Sequence, residues 1–513
     1  MFTSWTRWTA LVLATIWITS PALAGELIYV APAGEDTAAG TIEQPLASIS
    51  EGLRRADQPG DQVLVRHGTY HEPIVFPHDG QEGRPIVLRN YPGERPILSA
   101  EKLPTDLVAQ VLIQDRRHVE LRGFTIRGFR SSIRSAAVFV LGSGHQIVIA
   151  NNRVHDVRAT QKYEGDIRGI AAYTTGSRSI TDLTIEANEL FDVMTGYSEV
   201  VVVTGNVQGF EIVDNTAHHN HTNPVFLAAG LQDAQGNGLL TMADGSVVDG
   251  APAGPGRFAY NTIYNNTDPN RGGIGIYLNG AKDIVVEANT LFNNHAGISA
   301  MAENRHLVTT GIKIVNNVVY DNHGYGIVVG SGGPDGGPLD SGSVSDVSVT
   351  HNTLVNNGHS PRWTRGVSFE IGQVDGLSVQ ANVIVTSVTG PGKGRALSVR
   401  RKPSRLTMNR NMWFYPEGPA VFEWLGRDAF QGLESFAEFS QQSADGIERA
   451  PRFRVAETND YRLTETSPAI GLGMTGVTRD RLGRPRPIQS ADAGAYQFEA
   501  GRHDDPTPES ISE

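Results

Sequence analysis

Through the middle of the chain, short apolar runs recur in groups of three. Polar corners separate them, and they never follow the spacing of an amphipathic helix. A strand-like run ends in a small or polar residue followed by Asn. A second apolar run, a polar turn and a third run led by Gly complete the unit. One unit reads Asp283–Glu287, Ala288-Asn289, Thr290–Phe292, Asn293–Ala296 and Gly297-Ile298. The next reads Gly311–Val315, Asn316-Asn317, Val318–Tyr320, Asp321–Tyr325 and Gly326-Ile327. The marker asparagines are Asn152, Asn188, Asn215, Asn261, Asn289, Asn317, Asn352, Asn382 and Asn411, with successive differences of 36, 27, 46, 28, 28, 35, 30 and 29. The short intervals are plain coils and the long ones are coils carrying a loop, which is the signature of a solenoid. No helical pattern lies between the runs, which argues against leucine-rich and α/β repeats. The period is too short for four-stranded propeller blades. The pattern predicts an all-β fold, a single chain wound into a parallel β-helix with coils stacked about 4.8 Å apart. Asn tolerates the left-handed conformation of a tight corner, and aligned amides bond from coil to coil. A structural ladder therefore accounts for these asparagines.

The end coils of a solenoid present open edges and need covers. Leu46 to Ala56 has Leu46, Ile49, Leu53 and Ala56 at helical spacing, ended by Pro59-Gly60, and predicts an N-terminal capping helix. Phe430 to Ser443 predicts a second helix or an irregular cover. The organisation expected is a β-helix domain over 25–498, with an N-terminal cap over about 25–100 and a C-terminal cover over about 412–498. A polar, acidic tail over 499–513 is expected to be disordered.

Residues 1–24 read as a secretory signal peptide, with Arg7, an apolar stretch Trp8–Ile18, and Ala22 and Ala24 before Gly25. That predicts a secreted or periplasmic protein. No later segment is long and apolar enough to span a bilayer, so no membrane span is expected after cleavage. The 57 Gly and 7% aromatic residues favour many tight turns over bulky core layers. With no Cys, stability must come from packing and backbone hydrogen bonds rather than disulfides. The net charge of −12 argues against nonspecific nucleic-acid binding. It would also repel an acidic polysaccharide unless a local basic strip or a bound cation intervened.

The opening Tyr29–Pro32, Gly34, Asp36, Gly40-Thr41, Pro45-Leu46, Ile49, Pro59–Asp61, Gly68–Tyr70, Glu72 and Pro85-Ile86 resembles that of pectate-lyase-like right-handed β-helix proteins, particularly the family nine polysaccharide lyases and their uncharacterised relatives. Ser467–Ile470, Asp480, Gly483–Pro487 and Asp492–Tyr496 resemble the closing segment of secreted bacterial β-helix proteins. The resemblance covers nearly the whole mature chain, and its motifs are caps and turns. It implies calcium-assisted β-elimination on an acidic polysaccharide, with a Lys or Arg base and acidic residues holding Ca2+. Related β-helices are instead hydrolases, epimerases or binding proteins, so the fold does not decide the function. Acids that the resemblance implies near Phe226, Asn279 and Ser299 are replaced here by apolar or neutral residues.

The resemblance also places the ligand groove along the strand after the Gly. Stacking Gly169, Glu199, Pro224, Gly273, Gly297, Gly326, Gly366 and Ala396 gives an outward column of Tyr173, Val203, Ala228, Tyr277, Met301, Gly330, Glu370 and Arg400. The column before it holds Ala171, Val201, Phe226, Gly275, Ser299, Val328, Ser368 and Ser398. The column after it includes Thr175, Asn279, Glu303 and Lys402. Glu303, Glu370 and Arg400 are the candidate catalytic residues. Glu303 and Glu370 fall two coils apart, roughly 10 Å, close to the spacing of an inverting carboxylate pair. Equally, Glu370 is placed to pair with Arg400, and Arg400 and Lys402 to bind a uronate, to act as a base or to form a solvated charge run. Tyr173, Tyr277, Lys402 and Lys162 are the candidate substrate-binding residues, since a pyranose packs on an aromatic ring.

Two loop clusters compete with this site. Lys162–Arg168 suits a uronate, a cation or an internal salt-bridge set. His218–His221 invites a metal reading, but adjacent histidines on an extended chain point to opposite sides. The segment Leu227 to Arg257, with Asp233, Asp244 and Asp249, is expected to form a lobe beside the groove. No phosphate loop, dinucleotide fingerprint, nucleophile elbow or zinc-protease motif is present. The expectation is a monomeric polysaccharide lyase or hydrolase. A non-catalytic polysaccharide-binding protein and a cell-envelope structural or assembly factor remain as alternatives.

Overall fold

The computed structural model describes residues 25–500 apart from 161–165, 175–177, 197, 223–224, 230–238, 242–246, 250–252, 267–272, 304–306, 332–340, 361–365 and 426–427. Residues 1–24 and 501–513, and with them the predicted signal peptide and most of the acidic tail, lie outside the described residues. So do Lys162, Glu164, Thr175, Pro224, Asp233 and Asp244.

Each coil contributes strands to three faces, and each strand pairs in parallel with its counterpart one coil on. Face one contains Ile167–Thr174, Val201–Thr204, Phe226–Ala229, Ile274–Asn279, Ala296–Met301, Tyr325–Val329, Val367–Ile371, Arg395–Val399 and Val421–Trp424. Face two contains Gly256–Ala259, Ile284–Glu287, Val308–Val315, Ser343–Thr350, Asp375–Gln380 and Leu406–Asn409. Face three contains Thr262–Tyr264, Thr290–Phe292, Val318–Tyr320, Thr353–Asn357, Val383–Thr386 and Met412–Phe414. The parallel β-helix predicted from the repeat is therefore the fold. Its interior is filled by Ile, Val, Leu and Phe from all three faces.

The marker asparagines form one continuous ladder between faces two and three. Asn289 is typical. Its Nδ2 donates to Asn317 Oδ1 and to the Phe258 carbonyl, both at 2.9 Å, and its Oδ1 accepts from the Asn261 backbone N–H at 3.0 Å and Asn261 Nδ2 at 2.9 Å. Both sides of the amide are thus satisfied, as a buried amide requires. The left-handed residue, however, is the one before each ladder Asn. Ala187 has φ 51°, Tyr260 57°, Ala288 55°, Ala381 55° and Arg410 53°. The Asn is selected for its inward amide, and the corner is held by the coil-to-coil bonds on either side, whatever residue occupies it.

A second ladder runs between faces three and one through Asn220, Asn266, Asn294, Asn322 and Asn357. At the same corner the chain needs glycine. A Cβ on Gly297 would lie 2.4 Å from Val319 Cγ1, and one on Gly275 2.6 Å from Leu291 Cδ2, because faces one and three converge there.

The N-terminal helix is shorter than its apolar spacing predicts, running Ile49–Arg55, with the Ser48 side chain accepting from the Glu51 N–H. Ile49, Leu53 and Ala56 are buried against the first coils. At the other end Leu433–Ser440 is helical and lays Phe436 on Phe422, ring centroids 4.8 Å apart. The closing segment lies along face three. Leu463, Ala469 and Ala493 pack on Ala381, Val383 and Met412, and Arg481 Nη1 donates to the Ala288 and Asn289 carbonyls at 2.6 and 2.8 Å. Among the described residues no helix is long and apolar enough to cross a membrane.

Candidate functional site

The register of face one corrects the predicted stacking. Gly169, Val200, Val225, Gly275, Gly297, Gly326, Ser368 and Ala396 align. Glu199 and Pro224 therefore stand one residue early, and Gly273 and Gly366 two. The segments leading into these strands differ in length from coil to coil, so the glycines are not equivalent landmarks. A slip of one residue exchanges inside for outside. Val201, Val203, Phe226 and Ala228, predicted to point outward, are in the core. The outward column is Phe139, Ala171, Val202, Leu227, Tyr277, Ser299, Val328, Glu370 and Ser398. The next one carries Leu141, Tyr173, Thr204, Ala229, Asn279 and Met301.

Over most of its length this outer side is not an open groove. Phe139, Ala171, Tyr173, Val202, Leu227, Tyr277, Met301 and Val328 belong to a second buried apolar cluster, separate from the core inside the coils. Tyr173 is 6% exposed; Phe139 meets its ring edge to face at 5.4 Å, and the Arg168 guanidinium carbon lies 5.0 Å from the ring centre. Tyr277 is 5% exposed. Neither tyrosine presents a ring face to solvent. The Tyr277 hydroxyl has no hydrogen-bond partner among the described residues. Burial first, and the nearby Glu303 charge second, push it well above the usual phenol range.

Among the described residues, polar groups gather in the earlier coils of this face and again in the later ones. In the earlier coils, Arg168 Nη2 reaches Asp166 Oδ1 at 2.6 Å and its Nε reaches Glu199 Oε2 at 3.2 Å. Asp166 also accepts from Arg134 Nε at 2.5 Å and from the Ser198 hydroxyl. Burial opposes the Arg168 charge, but Tyr173, Glu199 and Asp166 outweigh it and hold its pKa above the usual guanidinium value. Burial raises Glu199, whereas for Asp166 it is outweighed by Arg168, Ser198 and Arg134, which keep that carboxyl below the usual range. In the later coils, Glu370 and Arg400 pair at 3.0 Å with side-chain exposures of 3% and 17%. The Arg400 N–H continues the sheet by donating to the Ile371 carbonyl.

Beyond Arg400 the turn from face one to face two opens a cleft of roughly 420 Å3, lined by Ser341, Ser343, Gln373, Asp375, Lys402 and Ser404 among others. Lys402 is exposed at its mouth and pairs with no carboxylate among the described residues. Arg401 Nη1 donates to Gln373 Oε1 at 3.1 Å, and Asp375 is held by Arg405 and the Ser404 hydroxyl. Gln373, Asp375 and Ser404 leave no mark in the sequence pattern, because these turns vary in length and carry no repeating signal. Glu303 is exposed and accepts from Asn279 Nδ2 at 3.3 Å. It lies two coils from Glu370 and four residues past Ser299, the residue that aligns with Glu370.

The described residues do not fit a calcium ion. No three Asp, Glu or His side chains among them converge as metal ligands, Asn279 and Ser299 are neutral, and Phe226 points into the core. The histidine cluster is tied up locally. His218 Nδ1 meets His219 Nδ1 at 2.8 Å, and its Nε2 meets Glu189 at 3.3 Å. The His218 ring is one member of a stack through His155, Phe191, Tyr264, Phe292 and Tyr320 on the outside of face three.

Residues 28–332, more than half of the chain, match the family model described as the Pel9A-like, right handed beta helix region. The uncharacterized protein YwoF of Bacillus subtilis (strain 168) is 27% identical over 458 residues, covering 87% of this chain and 92% of its own length. Pectate lyase PEL9 of Emericella nidulans is 38% identical over 110 residues, 20% of this chain and 27% of that protein. Among solved structures, the complex of XylC with xylose superposes with a TM-score of 0.55 at 10% identity, over 92% of this chain and 98% of the other. At that identity the likeness shows the fold.

Proposed function

This chain belongs to the Pel9A-like right-handed β-helix family, and on that premise we propose that it is an exported carbohydrate-active protein that cleaves a uronate-containing polysaccharide by elimination. Arg400, oriented by Glu370, and Lys402 lie at the reacting sugar in this reading, with Glu303 and Asn279 beside a neighbouring sugar hydroxyl. The observation that carries it is the Glu370–Arg400 pair, its carboxylate buried, where charge first interrupts an outward column that is apolar or uncharged from Phe139 to Val328. A buried ion pair is weak as a stabilising device, and apolar residues of similar size do as well. Its presence at the margin of a polar cleft favours a role toward a ligand.

Elimination needs positive charge at the uronate carboxylate. Neutralising that group acidifies the neighbouring C–H. A base removes the proton, a carbon–carbon double bond forms, and the glycosidic oxygen departs with its electron pair and is reprotonated. Arg400, Arg401 and Lys402 offer such a local basic strip on a chain of net charge −12. Hydrolysis by Glu303 and Glu370 is less well served. Two coils alone separate them by about 10 Å along the axis, and the residue offset adds to that, past the range of carboxylate pairs.

The test is absorbance in the near ultraviolet across a panel of polyuronates and neutral glycans, with reducing ends assayed in parallel. Elimination gives both signals on a polyuronate and hydrolysis gives reducing ends alone. Arg400→Ala should abolish turnover in a folded protein, and unchanged turnover would remove this site. A second reading, non-catalytic binding, draws on the apolar, covered state of most of face one. It stands if one glycan binds and no panel member is cleaved. Export and a monomeric state belong to the same proposal. They are checked by the N-terminal sequence of the mature protein, expected to start at Gly25, and by light scattering.

A further inference from the structure

At the coils of Ile167–Thr174 and Val201–Thr204 the outer side of face one encloses a pocket of oxygen atoms. Five to six coils, about 24–29 Å, separate it from Glu370. Its donors are Asp166 Oδ1, the Asp166 carbonyl, Glu199 Oε2 and the Ser198 hydroxyl. Carboxylate, carbonyl and hydroxyl oxygens are what a hard divalent cation takes. The guanidinium of Arg168 fills the space among them, while Arg134 Nε pairs with the other Asp166 oxygen, Oδ2, at 2.5 Å and leaves Glu199 to Arg168. It donates to the Asp166 carboxylate at 2.6 Å, to the Asp166 carbonyl at 3.0 Å and to Glu199 at 3.2 Å. The Arg168 side chain is 5% exposed, Asp166 31% and Glu199 14%. Asp166 and Arg168 lie two apart at the start of one strand and so share a side, while Glu199 is brought alongside by the register of the next coil. One strand and its neighbour therefore preassemble the pocket.

We propose that Arg168 is the resident cation of this oxygen-lined pocket, standing where a bound divalent ion would otherwise be required, so that face one folds without calcium. Carboxylates enclosed to this degree are costly without a counter-charge. An ion would supply it at the expense of a dissociation equilibrium; a tethered guanidinium supplies it permanently. The Tyr173 ring, 5.0 Å from the guanidinium carbon, reports on any ion that replaces it.

The experiment is a titration with Tb3+, exciting tyrosine and reading lanthanide emission, alongside thermal unfolding in Ca2+ and in chelator. The wild-type protein should give no saturable emission and the same Tm in both media. Arg168→Ala and the bulkier neutral Arg168→Gln should gain saturable emission that Ca2+ competes away. Their Tm should rise by about 2–5 °C at Ca2+ a hundredfold above Kd. Arg168→Lys should gain nothing, and Asp166→Asn in the Arg168→Ala background should remove the gain. Saturable emission from the wild type that Asp166→Asn abolishes would overturn the proposal. So would folded neutral variants that bind no ion, or failure of both to fold in Ca2+ as well as in chelator. No glycan enters these measurements, so they fail or succeed independently of the proposed elimination.

Discussion

Replacing Asn289 by Ala tests how much of the fold rests on the amide ladder. The side chain is buried and bonded at both ends, so its loss leaves the Asn261 backbone N–H and one Asn261 Nδ2 hydrogen without their acceptor. It also removes one donor each from the Phe258 carbonyl and Asn317 Oδ1. An orphaned buried group costs about 1–3 kcal/mol, so the two donors alone predict a loss of about 4 kcal/mol. A solenoid loses stability locally, because each coil meets only its neighbours. The suitable assay is therefore native-state hydrogen exchange. The Asn261 amide and its strand neighbours should lose protection about a thousandfold, and amides of the first coils should be unchanged. Asn289→Asp separates the acceptor from the donor role. Its second oxygen would face the Phe258 carbonyl and Asn317 Oδ1, so at neutral pH it should be no better than Ala. Once protonated it can donate again, and relative to Ala it should recover toward pH 4. A loss of protection below tenfold, or an Asp variant that tracks Ala at every pH, would refute the account of the ladder as a chain of satisfied buried amides.

Other outcomes follow from single contacts. Gly297→Ala drives a Cβ to 2.4 Å from Val319 Cγ1, and should lower stability by about 1–3 kcal/mol in thermal unfolding, with part of the loss relieved by Val319→Ala. His351 is buried with its pKa lowered to about 3, burial being the main cause and Arg486 the second, and its Nε2 accepts from the Met474 N–H. The unfolded chain binds this proton near pH 6.5 and the folded chain does not. Stability should therefore fall as pH drops from about 6.5 toward 3, by at most about 4–5 kcal/mol from this group, and His351→Asn should flatten that part of the acid profile. Lys402→Ala should raise KM for a polyuronate about five- to tenfold with little change in kcat, and the difference should shrink at high salt.

The winding of the chain is readable because one amide recurs at each turn and is buried with its hydrogen bonds made to the next coil. The marker asparagines predicted from Asn152 to Asn411 are the ladder itself. The conformation of the corner was assigned to the wrong residue, since Asn tolerates positive φ in general but Ala288 and Tyr260 bear it here. Face one was harder. Its leading residues vary among Gly, Val, Ser and Ala, and the segments before them vary in length, so Glu199 and Gly273 fall out of step. Its burial on the outer side did leave a signal. Ile170–Ala172, Val200–Val203 and Val225–Ala228 are continuous apolar runs rather than alternating ones, as expected for strands covered on both sides. The partnership of Glu370 with Arg400 was within reach because the two are one coil apart, whereas Arg168 with Glu199 required the true register.

Two surfaces look suited to a sugar in a list of residues, and geometry separates them. The stack from His155 to Tyr320 on face three is a long aromatic row, yet neighbouring rings lie 4.6 to 5.4 Å apart and within 20° of parallel. Their faces are spent on one another, and only edges are left for solvent, whereas a pyranose packs on a ring face. Like the asparagines beneath it, the stack reads as a device that keeps coils in register. Its far end, Tyr320, is closed off by Tyr461 of the C-terminal cover at 5.5 Å. Among the described residues, those lining the cleft near Lys402 include no aromatic ring, and Lys402 pairs with no carboxylate; the hydroxyls of Ser341, Ser343 and Ser404 line the same cleft. Under the proposed function, a ligand held there is recognised by charge and hydrogen bonds, which favours an acidic glycan over a neutral one. On that proposal the salt dependence of the Lys402 variant bears more on function than an aromatic substitution.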